Sequence, residues 1–144
     1  MAHAENEVTI QRPASVVYAF LADGLNNPKW RTGVQRIELR SGAPGEEGAI
    51  YSQTLTGPKG RAIQGDYQIT SGQPGESLEF KVIAGPARPL GKYELREADG
   101  QTKVHFALDL KLPLVMKVMD GLVRKTMEAE VAQLSKLKSV LEAG

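Results

Sequence analysis

Apolar and polar residues alternate along Glu7–Arg12, with Val8 and Ile10 on one side, as in a strand with one buried face. The period then changes. Behind Pro13, Val16, Val17, Phe20 and Leu21 recur at spacings of three and four, predicting a short helix over Ala14–Ala22. Asn27-Pro28 opens a second short helical turn carrying Trp30, the single tryptophan.

Six more alternating runs follow, over residues 35–40, 49–56, 61–70, 77–84, 92–97 and 102–112. A loop at 42–48, a proline-rich loop at 85–91 and turns at 57–60 and 72–75 separate them, and Asp99-Gly100 is a two-residue hairpin signal. Parity puts Tyr67, Phe80, Tyr93 and Phe106 on the apolar side of their strands, and Tyr51 and Gln53 with Leu55. The same parity assigns Asp66, Arg96 and His105 to the wet faces. Leu114–Glu142 then reads as one long helix with Met116, Met119, Val123, Met127, Val131, Leu134, Leu137 and Leu141 on its inner stripe. An antiparallel meander with one dry face needs such a cover, and pairing of the first and last strands would protect an edge. The expected fold is α+β: a curved seven-stranded antiparallel sheet around a long C-terminal helix, with two short helices after strand 1.

Composition narrows the chemistry. The 144 residues predict a single domain spanning 1–144, with 1–6 a mobile tail. The absence of cysteine removes thiolate metal sites, iron–sulfur clusters and a cysteine nucleophile. Only His3 and His105 remain as histidine ligands, so no metal site is expected, and no cofactor is implied. A net charge of +1 with interspersed signs gives no nucleic-acid footprint. Neither a membrane span nor a secretory leader is visible, which makes cytoplasm the expected location. Monomer and homodimer are both compatible with the pattern.

Several short motifs stand in this order: V-x-I-x-R-P at Val8–Pro13, V-x-x-F-L-A-D at Val17–Asp23, N-x-P-x-W at Asn26–Trp30, and the stretch Val34–Glu38. With a C-terminal helix containing Gly121, the chain resembles the SRPBCC or START-like helix-grip superfamily, in its polyketide cyclase/dehydrase-like branch. The resemblance implies a deep apolar cavity between sheet and C-terminal helix for lipids, sterols, polyketides or similar small hydrophobic molecules. Some relatives are enzymes and others carriers, so the fold alone does not choose between them.

Candidate ligand-lining residues are Trp30, Tyr51, Gln53, Tyr67, Phe80, Tyr93 and Phe106, with Met119, Val123 and Met127 from the helix. Each also serves as ordinary core packing. The first function is binding or carriage of a small hydrophobic molecule. The second is a cyclase- or dehydratase-like enzyme in which Tyr51, Tyr67 or Tyr93 moves a proton. The third is a protein-interaction role on the outer sheet face or a helix end. Arg88, between Pro86 and Pro89, is a candidate for an anionic head group at the cavity mouth. Gly121 costs a helix interior about 1 kcal/mol against alanine, which anticipates a close backbone approach or a kink there.

Overall fold

The computed structural model describes residues 2–85, 87–111 and 120–143. Eight strands form one antiparallel sheet. β1 (Ala2–Ile10) pairs with β8 (Gln101–Leu110), which pairs with β7 (Leu90–Ala98). The order continues through β6 (Ser77–Val82), β5 (Tyr67–Gln73), β3 (Ile50–Thr56) and β2 (Val34–Ser41), while β4 (Ala62–Gln64) pairs with β3. Strand one therefore covers the last strand of the meander, as the pattern predicts. The Asp99-Gly100 hairpin has positive φ at both residues, 55° and 76°, the geometry of a type I′ turn. The curved sheet with its helices is the helix-grip architecture.

Three expectations change. Residues 2–6 are strand rather than tail, in register with β8 from Ala2↔Leu110 onward. Ala2 and Ala4 are buried there, and small residues give little hydrophobic signal. On the outer side His3 bonds both Glu5 and Asp109 at 2.6 Å, and these two carboxylates raise its pKa above the ordinary value.

The run 61–70 is two strands, not one. Gly65 N donates to Gln53 O (2.8 Å) and the Asp66 carboxylate accepts from Gln53 N (3.0 Å), so Asp66 replaces a rung of the ladder. Asp66 is consequently buried, contrary to its parity.

The C-terminal helix is interrupted. α3 (Asp120–Val131) and α4 (Leu134–Ala143) are separated by a turn at 132–133, where Gln133 N bonds Glu130 O three residues back. The Asn6 amide donates to Val131 O (3.1 Å), satisfying a carbonyl at the end of α3. Both chain ends are fastened together: Lys138 Nζ donates to Thr9 O (2.7 Å), and the Glu142 carboxylate accepts from Gln11 N (2.8 Å). No described atom lies within 4 Å of a Cβ at exposed Gly121, so no close approach to described residues explains it. Met116, Met119 and the predicted start of the helix lie outside the described residues.

The first helix matches its predicted bounds. α1 (Ala14–Ala22) begins after Pro13, and Glu97 on β7 supplies its cap: Oε1 accepts from Ala14 N at 2.6 Å. A 3-10 turn (Gly24–Asn26) leads into α2 (Asn27–Trp30). α1 packs across β6, β7 and β8, whereas α3 and α4 pack against β1. None of the described helices is long and apolar enough to cross a membrane.

Candidate functional site

The inner sheet face carries a continuous row of aromatic rings, assembled by the register. Tyr51 faces Tyr67 across β3 and β5 and stacks on it with centroids 5.3 Å apart. Tyr67 meets Phe80 edge-on at 5.4 Å. Phe80 lies 6.0 Å from Tyr93, which pairs with Phe106 across β7 and β8 in a 4.3 Å stack. Trp30 closes the row, edge-on to Tyr93 at 6.4 Å. Two glycines make room. At Gly24 a Cβ would strike the Tyr67 hydroxyl and the Tyr51 ring, and at Gly91 it would strike the Phe80 ring.

Polar groups are threaded through this apolar layer. The buried Asn27 amide donates to Gln53 Oε1 (3.2 Å) and to the Tyr67 hydroxyl oxygen (3.0 Å). Gln53 Nε2 in turn reaches Gly65 O at 3.3 Å. The Asp66 side chain, 6% exposed, also receives Arg40 Nη1 at 3.0 Å from a half-exposed arginine. Tyr51 spends its hydroxyl as acceptor for Gly45 N (3.0 Å). Trp30 Nε1 is buried without a partner among the described residues.

A small cavity lies beside Tyr67 and Tyr93. Leu21, Ala22, Ile69, Leu78 and Phe80 form its apolar wall; Asn27, Arg31, Tyr67 and Tyr93 form the polar one. Its free space is about 10 Å³, room for one water molecule. Arg31, at the end of α2, bonds Glu130 of α3 at 3.2 Å and lies 5.8 Å from the centre of the Trp30 ring. Burial pushes the Tyr67 and Tyr93 phenols above their ordinary pKa, against the opposing pull of the Asn27 hydrogen bond and then Arg31 at Tyr67 and of Arg31 at Tyr93. Both are neutral donors at physiological pH and therefore unsuited to act as bases.

Of the sequence candidates, Tyr67, Phe80 and Tyr93 line this cavity. Trp30, Tyr51, Gln53, Phe106 and Met127 are buried in the surrounding core, and Val123 is partly buried against it. Met119 is outside the described residues. Among the described residues the wall comes from the sheet, α1 and the α2 region, rather than from the C-terminal helix. Asn27 and Arg31 escape a periodicity search because a four-residue helix has no period, although N-x-P-x-W encloses Asn27 and ends one residue before Arg31.

Arg88 is exposed and turned back onto Gly85 O (3.3 Å). His105 stands on the outer face beside Glu5 and Glu94. A depression of about 420 Å³ there is lined by Glu7, Glu94, Arg96, Glu97, Lys103 and His105 together with Ala98. Its signs alternate and it lacks the apolar wall a hydrophobic ligand needs. Among the described residues no group of three histidine or carboxylate ligands converges on a metal position.

The family model for polyketide cyclase / dehydrase and lipid transport matches residues 1–142. The chain belongs to that family. Among solved structures it is similar to the Thermus thermophilus protein TTHA0849, with a TM-score of 0.77, 20% identity and 99% of each chain covered. It is also similar to the Zhui aromatase/cyclase from a Streptomyces species, with a TM-score of 0.71 and 14% identity over 98% of this chain and 91% of that one. An Arthrobacter aurescens protein gives 0.74 and 15%, over 99% and 87%. At these identities the likeness establishes the shared fold. No curated protein matches the sequence.

Proposed function

We propose that this protein binds a small hydrophobic molecule in the cavity between its sheet and its helices. The observation that carries the reading is the cavity wall: five apolar residues facing four side chains with polar ends, with Arg31 the single cation among the lining residues. An interior meant only for packing has no use for a guanidinium and two phenol hydroxyls on one small void. Family membership supports the same reading. Because the void holds about one water, entry of a ligand requires the helices to move away from the sheet. The helix break at 132–133 and the Arg31–Glu130 contact provide places where that motion can occur.

A cyclase- or dehydratase-like reaction is the second reading, favoured by the two buried phenols at the cavity. Their raised pKa fits proton donation or hydrogen bonding to a developing oxyanion rather than proton abstraction. Tyr51, which is not among the lining residues of the cavity, is the weakest of the three tyrosines for that role.

Native mass spectrometry of gently purified protein, followed by solvent extraction, tests the binding reading. A discrete adduct at near-stoichiometric occupancy, released as an apolar molecule, is the expected result. An adduct-free mass that also stays unchanged across a panel of apolar probes would oppose it.

A further inference from the structure

We infer that the cavity, as the binding site proposed above, selects an apolar molecule bearing one carboxylate, which takes the place of Glu130 on Arg31. Among the lining residues Arg31 is the only charged side chain, so the wall itself carries one positive charge. Its guanidinium has five N–H donors, and its one hydrogen bond among the described residues is the 3.2 Å contact to Glu130 Oε2. A carboxylate approaching along the fork can make two such bonds in parallel. The neighbouring hydroxyls add to the same demand. Tyr67 accepts from Asn27 and keeps its own proton to give, and the Tyr93 hydroxyl has no hydrogen bond among the described residues. The lining side chains therefore offer donors to an incoming carboxylate.

Glu130 is the partner that can leave. Its side chain is 31% exposed, against 11% for Arg31, so turning outward returns it to water while Arg31 stays inside. It also sits in the last turn of α3, where the helix dipole disfavours a negative charge. A neutral ligand has no means of displacing it. A carboxylate does, and the leaving of Glu130 loosens the α2–α3 contact that accompanies the closed cavity.

The test is calorimetric titration of the full chain with 2-naphthoate and its uncharged counterpart 2-naphthamide. The expected result is a preference of about tenfold for 2-naphthoate, since a charge-assisted pair outweighs a neutral hydrogen bond by roughly that factor. Arg31→Met should abolish the preference, bringing the two probes to equal affinity. Glu130→Gln keeps the side-chain shape and removes the competitor, so it should tighten 2-naphthoate several-fold; it carries the test if Arg31→Met does not fold. Equal binding of both probes, unaffected by Glu130→Gln, overturns the carboxylate preference and leaves hydrophobic binding intact. Weaker 2-naphthoate binding in Glu130→Gln also overturns it. Binding of neither probe overturns the preference together with the function on which it rests.

Discussion

Replacing Asp66 with alanine removes the acceptor of the buried Gln53 N–H and a partner of Arg40 in one step. A buried donor left unsatisfied costs about 1–3 kcal/mol, whereas Arg40 is half exposed and its pairing contributes under about 1 kcal/mol. Asp66→Ala should therefore lower the urea-unfolding free energy by about 1–3 kcal/mol and Arg40→Ala by much less. Equal losses from the two would show that the ion pair, not the backbone cap, is the source. This residue also marks where sequence parity ends. Alternation across 61–70 assigns Asp66 to water, whereas its side chain turns inward to accept from Gln53 N while Tyr67 and Ile69 keep their predicted side. Gly65 beside it is the available signal, since an isolated glycine within a strand pattern marks a bulge. Tyr67, Phe80 and Tyr93 were legible because each keeps the inward parity of its run. Asn27 and Arg31 were not, as they stand on a short irregular segment whose direction only the fold determines.

Elements that carry their own period are read almost to the residue, and those that depend on distant partners are not. α1 has an inner stripe and a proline at its start, and its bounds follow from them. Its cap comes from Glu97, 83 positions away, which no local pattern reveals. Glu97→Ala should cost about 1 kcal/mol through the lost cap, with increased amide exchange confined to the first turn of α1. Unchanged exchange at Val16 and Val17 would remove the capping role. The C-terminal helix shows the opposite mismatch. Its apolar spacing runs through 132–133 without a gap, yet the backbone turns there because Asn6 takes the Val131 carbonyl and Gln133 reaches across to Thr32. Gln133 Nε2 donates to Thr32 Oγ1 at 2.6 Å, and Thr32 N donates back to Gln133 Oε1 at 3.1 Å. These are tertiary contacts, and periodicity contains no trace of them.

At the scale of the whole molecule, the two chain ends close on one another while the cavity lies under α1 and α2, against β5, β6 and β7. α4 is held to β1 by Lys138 and Glu142, and α3 is held to β1 by Asn6 and joined to Arg31 through Glu130. The most direct test is a methyl-detected NMR titration of the full chain with 2-naphthol, an apolar probe carrying one polar group. Binding at the proposed site predicts saturable shifts at Leu21, Ala22, Ile69 and Leu78, with a change at Trp30 as the helices move. Shifts confined to the exposed Val16, Leu25 and Leu90, or no saturable shift at all, would contradict an interior site for a small hydrophobic molecule.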